Sequence, residues 1–444
     1  MTTYRDIALS EFERLGVKDG ELYVRDAKSM SLEYNDGDIE KLKEEDEKAA
    51  AIRIINNKRL GFSYTSSLLP EELKKTIQDA YEFSKFTSEN PYYRILSQDL
   101  APVDIEMYDP DIPELSVDAL ISYAKRMEDA ARAFDERVKG FRTIEVKKGC
   151  GNIFLSTTYN IERTYRYTFI YFLVELIAEE GKEREMGFEI VLSPFLWRMN
   201  PEEVGENAAR KAISKLGGRM YKTGKFPVIF APEAEAELLG ALFPAFSGEN
   251  VMKGKSLYKD MLGKEIAGEH VTLVNDGTLK DGVSSSPFDD EGVPTKRVKI
   301  ISSGRLTTYL HNLYSATFFN TESTGSGFRS TLKSPPTISP ANLYFLPGNI
   351  TPKDLISGIS EGIYVTSIIG AHTINPVSGD FSVGITGQLI EKGEISYPLR
   401  GMTLAGNIRD FFKGIKAVCN DLRFFPNGVG GSTVLVEGLS IGGK

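Results

Sequence analysis

The chain has 444 residues, 41% of them hydrophobic, which suits two soluble domains of about 200 residues each better than one core. Its formal net charge is −9, so no basic field gathers phosphates, and direct binding to nucleic acid is not expected. The two cysteines, Cys150 and Cys419, lie far apart in the sequence and form neither a disulfide framework nor a CxxC site, which favours a reducing cytoplasm.

The first half of the chain predicts an α+β domain with antiparallel sheets and helices. The opening segment 1–16 has the pattern of an amphipathic helix and lacks the basic start and apolar core of a secretory signal. Short alternating segments then flank the turn sequences "NDGD" and "NNKR", which predict the hairpins of an antiparallel meander. Two helices follow: one begins at the proline of "PEELKKTIQDAYEFSKFT", and the other has Ser116 as its N-cap.

A second group of strands echoes the first in its order of turn, long strand, polar turn and Gly-Phe. Tyr34-Asn35 and Gly61-Phe62 would match Tyr159-Asn160 and Gly187-Phe188, which hints at an internal duplication. Two unrelated meanders explain the pattern about as well. The apolar run "YTFIYFLVELIA" in this group is about half the length that spans a bilayer and contains a glutamate, so we predict a buried strand and no membrane span.

A helix with Asn200 before its first proline and a double glycine after it ends this half. The next segment, "RMYKTGK", is predicted to be a linker, which gives two domains, 1–222 and 223–444. Short strands rich in Gly and Pro then dominate, with helices at "TPKDLISGI" and "AGNIRDFFKGIKAV", so we expect a mainly antiparallel β domain, a curled sheet or open barrel. Aromatic residues in "ALFPAFSG" and "LYSATFFN" predict either core packing or a partner surface.

Three glutamates in "FAPEAEAELLGALFPAF", residues 230–246, raise the question of a metal site or an acid/base pair. Glu233 and Glu237 could share a cation at i, i+4 spacing, but no D-x-D-x-D loop or clustered histidine supplies further ligands. We therefore favour a charged N-terminal turn for both residues. Glu235 falls within the apolar stripe of the helix, where a carboxylate needs a partner or a shifted pKa.

Other residue types that carry catalysis are sparse in the sequence. The three histidines, His270, His311 and His372, are far from one another, so zinc motifs such as HExxH are absent, although a scattered triad could still meet in space. The stretch "SGDFSVG" has Asp380 where a nucleophile elbow needs glycine. The segment "SSSPFDDEGVPTKR", residues 284–297, groups hydroxyls and carboxylates around two prolines, a composition typical of a solvated turn.

Several long motifs, taken together, resemble the TldD/PmbA family, known as modulators of DNA gyrase and including the subunits of a bacterial peptidase. They are, in order, "FSGENV", "SSSPFDDEGVPTKR", "STGSG", "NPVSGDFSVGITGQLIEKGEISYPLRGMTLAGNI" and "VCNDL". The resemblance covers essentially the whole chain. In the TldD branch of this family, a helix before the "FSG" segment carries HExxxH, whose histidines bind zinc and whose glutamate is the general base; a cysteine near the C-terminus is a further ligand.

The residues that match HExxxH in this sequence are Pro232, Glu233 and Glu237, a degenerate set of metal-site positions. Proline has no ligating side chain, and the glutamate of the motif, Glu233, would have no metal-bound water to activate. Cys419 precedes the "NDL" motif, whereas the ligand cysteine would follow it. The resemblance therefore implies the PmbA branch, also called TldE, with no catalytic residue and no metal ligand in this chain.

Members of this branch pair with TldD in a heterodimeric zinc peptidase, so the resemblance implies a noncatalytic subunit. Its partner would be a TldD-like homologue that carries HExxxH and the zinc, and its substrates would be peptides or unfolded proteins; alone it could form a homodimer. Ser286, Asp289 and Asp290 are candidates for substrate binding, since hydroxyls and carboxylates can bind backbone amides or a peptide's amino end. Two alternatives stay open: a stand-alone hydrolase that uses carboxylates, and a regulator that binds a DNA topoisomerase.

Overall fold

The computed structural model describes residues 4–444, so the first three residues of the opening helix prediction lie outside the described residues. The described helices are α1 (Tyr4–Arg14), α2 (Pro70–Ser84), α3 (Asp111–Glu114), α4 (Val117–Phe134), α5 (Pro201–Ile213), α6 (Pro232–Leu242), α7 (Gly248–Met252), α8 (Leu313–Phe319), α9 (Pro352–Ser357) and α10 (Ile408–Gly414). Short 3-10 turns lie at Leu196–Arg198, Phe243–Phe246 and Ala371–Thr373.

The strands of the first half are β1 (Asp19–Asn35), β2 (Asp38–Asn56), β3 (Arg59–Thr65), β4 (Val138–Thr157), β5 (Glu162–Glu180) and β6 (Glu183–Ser193). Those of the second half are β7 (Gly224–Lys225), β8 (Val228–Phe230), β9 (Leu273–Asp276), β10 (Arg297–Ser302), β11 (Arg305–Leu306), β12 (Gly327–Phe328), β13 (Thr337–Ile338), β14 (Leu343–Phe345), β15 (Glu361–Ile369), β16 (Asp380–Glu391), β17 (Glu394–Asn407), β18 (Ile415–Val418), β19 (Arg423–Phe424), β20 (Gly430–Gly431), β21 (Val434–Val436) and β22 (Ser440–Gly442).

The first half forms one antiparallel sheet in the order β3-β2-β1-β4-β5-β6. Positive φ angles at Asp36 and Gly37, and at Asn57 and Lys58, turn the chain at the two predicted hairpins. The predicted N-cap is also present, because the side chain of Ser116 accepts a hydrogen bond from the amide of α4's third residue. The apolar run of 168–179 lies in β5, whose side chains alternate between buried and half-buried positions.

The same order of elements, helix, three strands and helix, occurs twice in this half. The first unit is α1-β1-β2-β3-α2, the second is α4-β4-β5-β6-α5, and the two meet where β1 pairs with β4. In each unit a glycine of the third strand lets the closing helix approach: a Cβ on Gly61 would lie 1.9 Å from the carbonyl oxygen of Ala80, and one on Gly187 would lie 2.1 Å from that of Ala208. An internal duplication would produce this correspondence, and it stays a prediction.

The second half is mostly β-structure. Its largest sheet has the order β18-β21-β8-β15-β16-β17-β22-β7 and is antiparallel except where β8 pairs with β15. A four-stranded sheet, β11-β10-β9-β14, contributes to the same core together with α6 and α10. The predicted α+β class with a mainly antiparallel second half is therefore confirmed.

The segment "ALFPAFSG" lies in this core, with Phe243 and Phe246 buried, so the prediction of a partner surface at that segment is wrong. In the other aromatic segment, "LYSATFFN", Phe318 is exposed.

Both faces of the first sheet are covered in part. Its helices pack on one face and form two apolar clusters, α1 and α2 over the first unit and α4 and α5 over the second. On the other face, Phe288 of the second half packs against Tyr23, Ile153 and Leu155.

Residues 214–223 between α5 and β7 contain no named helix or strand, and the boundary near residue 222 stays a prediction. In the described part of the chain, no helix is long and apolar enough to cross a membrane.

Candidate functional site

Helix α6 holds Pro232, Glu233 and Glu237, the positions that the resemblance predicts to match the family's metal motif. Pro232 is its first residue, where a missing amide hydrogen and a fixed φ suit a helix start. The small Gly431 of β20 packs against this turn, and a Cβ on it would lie 1.8 Å from the carbonyl oxygen of Pro232. Leu238, Leu239 and Leu242 anchor the helix in the core of the second half. The start of the helix is thus fixed by packing around a residue that offers no metal ligand.

The carboxylate of Glu233 is ion-paired with the ammonium of Lys211, which comes from α5 in the first half. Lys211 also pairs with Glu189 of β6 at 2.7 Å, and Glu189, which is 1% exposed, pairs in turn with Arg423 of β19. Burial lowers the pKa of Lys211, and the nearby Glu233 opposes that shift. Glu233, the residue predicted to match the motif's glutamate, therefore has a lysine as its counter-charge.

The other two glutamates of α6 differ in their surroundings. Glu237 is half-buried; it accepts a hydrogen bond from the amide of Ile368 at 3.3 Å, and burial raises its pKa. Glu235 is fully buried, as its place in the apolar stripe predicts. One of its oxygens accepts the amide of Ser432 at 3.2 Å, the other has no hydrogen-bond partner, and burial raises its pKa well above the ordinary value. A neutral carboxyl group is the form that such a site favours.

The donor set does not fit zinc. Between residues 4 and 444, no group of three or more His, Cys, Asp or Glu side chains is placed to hold a metal ion. His270 contacts the carbonyl of Ile415 at 3.0 Å. His311 is buried beside the hydroxyl of Ser315, and burial lowers its pKa to about 4, while His372 lies in an exposed 3-10 turn. The scattered triad does not assemble among these residues, and a zinc site needs three or four such ligands.

The segment 284–297 is not a solvated turn, and that expectation is wrong. Ser286 is 4% exposed and Asp289 is fully buried, because the segment runs between the first sheet and the body of the second half. The Asp289 carboxylate accepts three backbone amides, from Glu291 and Val293 at 3.0 Å and from Gly327 at 2.8 Å. Burial raises its pKa well above the usual range, and the Glu291 carboxylate adds to that shift. Ser286 donates to the carbonyl of Phe288 at 3.0 Å.

A buried charge network joins this segment to the first sheet. Arg53 of β2 pairs with Glu291 at 2.6 Å and with Glu21 of β1 at 2.6 Å. Arg329 pairs with the other oxygen of Glu21 at 2.9 Å. All four side chains are at most 7% exposed. Since an uncompensated buried charge is costly, these pairs fix how the two halves meet.

Asp290 lies beside a cavity of about 490 Å³ between the two halves. Its carboxylate accepts the hydroxyl of Tyr23 at 2.8 Å and the amide of Arg329 at 2.7 Å. A cavity of this size is within the range of small-ligand sites. Five aromatic side chains and two arginines line it beside Asp290: Tyr23, Tyr165, Tyr167, Phe169, Phe328, Arg25 and Arg329. Of the three residues predicted to contact substrate, only Asp290 lines the cavity; Ser286 and Asp289 do not. Ser285, which precedes Ser286 in the sequence, also lines it.

Sequence reasoning missed the residues that surround these positions. Lys211 and Glu189 come from α5 and β6 in the first half, whereas Glu233 and Arg423 lie in α6 and β19 of the second half, so the ion pairs between the halves form only in the fold. Glu21 and Arg53 gave a weak signal, since Glu21 directly precedes the apolar "LYV" of β1 and Arg53 interrupts the apolar stretch "AAAIRII" of β2. Such a charge is expected to have a buried partner, but the partner cannot be identified from the strand alone.

Comparison with known proteins identifies the family. Models of the PmbA/TldA metallopeptidase match residues 20–83 (domain 1), 110–216 (central domain) and 223–443 (C-terminal domain). The Metalloprotease PmbA of Escherichia coli O157:H7 is 30% identical over 437 residues, which cover 97% of this chain and 93% of that protein. The chain belongs to the PmbA/TldD metallopeptidase family. A Metalloprotease PmbA homolog of Haemophilus influenzae is 28% identical, with 98% and 96% of the two chains covered.

Members of both branches and solved structures are similar over the full length. A Metalloprotease TldD homolog of Buchnera aphidicola is 25% identical, with 98% of this chain and 95% of that protein covered. The crystal structure of a putative modulator of a DNA gyrase from Thermotoga maritima has a TM-score of 0.90 at 28% identity, with 99% of each chain covered. TldE from Thermococcus kodakarensis shares the fold, with a TM-score of 0.89 at 24% identity. The match covers 98% of this chain and 100% of that chain.

Proposed function

We propose that this chain is the noncatalytic, TldE-like subunit of a heterodimeric zinc peptidase, and that a TldD-like partner with HExxxH holds the metal and the general base. The pairing of Glu233 with Lys211, at the position of the motif's glutamate, carries this proposal. A general base of this type needs a free carboxylate beside a metal-bound water. Here the carboxylate is engaged by an ammonium group, and Pro232 and Glu237 stand in place of the histidines.

The role of such a subunit is to complete the space that holds a peptide. Peptidases commonly hold substrate as an added β-strand, through backbone hydrogen bonds that do not depend on sequence. We propose that the cavity beside Asp290 faces this space and receives an apolar side chain of the peptide. Ser286 and Asp289, whose side chains are hydrogen-bonded to backbone groups, would shape the segment, and Asp290 would contact the substrate. The cytoplasm suits this work, since Cys150 and Cys419 are free thiols.

Purification of the tagged chain from native extract tests the pairing. A HExxxH-bearing homologue is expected to copurify, and the complex is expected to cleave denatured peptides in a chelator-sensitive way. The variant Glu233→Gln in this chain is expected to leave cleavage by the complex intact, whereas the same change in the partner's motif abolishes it. Chelator-sensitive cleavage by the purified chain alone would instead favour a stand-alone hydrolase.

Asp290→Asn tests the contact with substrate. It is expected to raise the KM of the complex several-fold, with unchanged zinc content and unchanged assembly. Asp289→Asn is the matched comparison, because it weakens three backbone hydrogen bonds and is expected to lower the stability of the chain first. Unchanged cleavage by the Asp290 variant, or loss of assembly, would make the segment purely structural.

A further inference from the structure

Strand β6 forms one edge of the first sheet. It pairs with β5 from Glu183 to Ser193, and among the described strands none pairs with its other side. On that open side, the ammonium of Lys215 donates to the carbonyl of Met186 at 2.8 Å, so this carbonyl points away from β5. Outward-facing residues alternate along an antiparallel strand, and Ile190 and Leu192 therefore also direct their N–H and C=O groups outward.

The open side of residues 186–193, here called the β6 edge, lacks the features that usually prevent strand addition. In these residues, all of which the structure describes, there is no proline and no bulge, and the single charged side chain, Glu189, is 1% exposed. Natural sheets block their free edges with charges, prolines or bulges. An unprotected edge is a site at which an extended peptide can add as a strand, through backbone hydrogen bonds.

Two cavities adjoin along the β6 edge. The first is the cavity beside Asp290, here called the aromatic cavity. The second, here called the charged cavity, has a volume of about 350 Å³, and its charged lining residues are Glu189, Glu203, Asp281, Arg198 and Arg423. Leu192, Ser193 and Val283 line both cavities, so a strand added to the β6 edge passes both.

The two cavities lie on opposite faces of β6. Leu192 is paired with Tyr171, whose face of β5 is also that of Phe169 in the aromatic cavity. Glu189 is on the other face, where its carboxylate meets Lys211 of α5. Because successive side chains of a strand point to opposite faces, a peptide residue opposite Leu192 directs its side chain toward the aromatic cavity, and its two neighbours direct theirs toward the charged cavity.

The aromatic cavity suits an aromatic side chain. Five of its lining side chains are aromatic, and rings pack well against one another edge-to-face or offset. Arg25 and Arg329 line it as well, and the guanidinium of Arg329 lies over the ring of Tyr23 at 5.0 Å. A further ring can stack on these guanidiniums, whereas a lysine or arginine of the ligand would be repelled by them. The carboxylate of Asp290 already accepts hydrogen bonds from Tyr23 and Arg329.

The charged cavity suits a basic side chain. It has three carboxylates against two guanidiniums. Arg198 pairs with Asp281 at 3.3 Å, and Arg423 pairs with Glu189. Glu203 is exposed, and no basic side chain in residues 4–444 pairs with it, so its charge is left for a lysine or arginine of the ligand.

We infer that a peptide adds to the β6 edge as a strand, with an aromatic side chain in the aromatic cavity and a directly adjacent lysine or arginine reaching Glu203. The inference deepens the proposed function and rests on it for the ligand, a peptide substrate. The alternation of side chains sets the spacing, because a residue two positions from the aromatic one would face the aromatic cavity again.

Two peptides of equal composition test the spacing. Each is a blocked chain of alanines with one phenylalanine and two lysines, and the lysines either flank the phenylalanine directly or stand one alanine farther out. By fluorescence anisotropy with the purified chain, the directly flanked peptide is expected to bind about threefold more tightly, the size of a favourable exposed ion pair. Glu203→Gln is expected to remove this difference. Glu206→Gln, at an exposed residue of the same helix that lines neither cavity, is the matched control and should retain it.

Two changes to the directly flanked peptide test strand addition and the aromatic cavity. A methyl group on the phenylalanine amide removes the donor that faces Leu192, so binding is expected to fall at least about tenfold. The same methyl group on a flanking lysine, whose amide points away from β6, is expected to change binding less than about twofold. Leucine in place of phenylalanine is expected to weaken binding at least about threefold, because the contacts between rings are lost.

These measurements use the chain without a partner, so their outcome is independent of pairing and of zinc. Equal binding of the two peptides, indifference to the methyl group on the phenylalanine amide, or no binding of either peptide at millimolar concentration would overturn the inference, even if the complex cleaves denatured peptides. The expected pattern of binding together with an inactive complex would instead contradict the proposed function alone.

Discussion

Lys211 connects three parts of the molecule through one ammonium group. It extends from α5, pairs with the buried Glu189 of β6 and reaches Glu233 at the start of α6. A zinc ion at such a position would need three or four ligands arranged around it, whereas the lysine is paired with two carboxylates alone. The charge of Glu233 is therefore balanced by a lysine, and α6 is tied to the first half of the chain.

Glu235 gives a prediction at the scale of a single residue. Burial raises its pKa above its ordinary value of 4.5, so the folded protein binds more protons than the unfolded chain once the pH exceeds about 4.5. Stability is therefore full below that pH and falls as pH rises toward the folded pKa, by about 1.4 kcal/mol for each pKa unit in the window. Glu235→Gln keeps an acceptor for Ser432 and removes this loss. The variant is expected to be more stable than the wild type at pH 8 and nearly equal to it at pH 5, as measured by urea unfolding.

A surface variant serves as the control for that comparison. Glu322 is 93% exposed, so Glu322→Gln should change stability little at either pH. If Glu235→Gln has the same effect at pH 5 and pH 8, the carboxyl group is ionised in the folded protein and the account of its burial is wrong.

At the scale of elements, α2 and α5 each pack against a glycine, Gly61 and Gly187, where a larger side chain would not fit. Gly61→Ala and Gly187→Ala would drive a Cβ into a helix carbonyl at 1.9 Å and 2.1 Å, so each is expected to cost about 2 kcal/mol or more by displacing its helix. Gly140→Ala in β4 is the control, because no atom lies within 4 Å of the added carbon. Thermal unfolding of the three variants checks this; equal melting temperatures would contradict the equivalent packing of the two units.

Local sequence patterns predict the helices and hairpins of this chain better than they predict the tertiary contacts of its side chains. The hairpins at "NDGD" and "NNKR" and the cap at Ser116 depend on a few adjacent residues, so the sequence alone was enough to predict them. The family resemblance marked Pro232, Glu233 and Glu237 as a degenerate site. Segment 284–297 is predicted to be solvated from its composition, whereas its burial depends on Phe288 meeting strands of the first sheet that are distant in the sequence. The spacing of residues around Glu233 likewise could not predict that its ion-pair partner is Lys211, which lies in another helix.

On the scale of the whole molecule, buried charges hold the two halves together. Arg53→Met would leave Glu291 without its cation and Glu21 with Arg329 alone, which is expected to cost about 3–5 kcal/mol because buried carboxylates lose their partner. Arg59→Met, which removes an exposed pair with Glu89, is expected to cost less than about 1 kcal/mol. Unfolding in urea compares them, and similar small losses for both variants would show that the network does not join the halves.

The assembly of this chain with a metal-bearing partner is the central claim, and metal analysis tests it most directly. Elemental analysis of the purified chain, of the partner and of their complex would report zinc per chain. The account predicts only trace zinc in this chain alone and about one zinc in the complex, since the residues predicted to stand in place of HExxxH, Pro232, Glu233 and Glu237, cannot form a zinc site with three or four ligands. One tightly held zinc per copy of the isolated chain, lost on Glu237→Gln or on substitution of any of its three histidines, would contradict it.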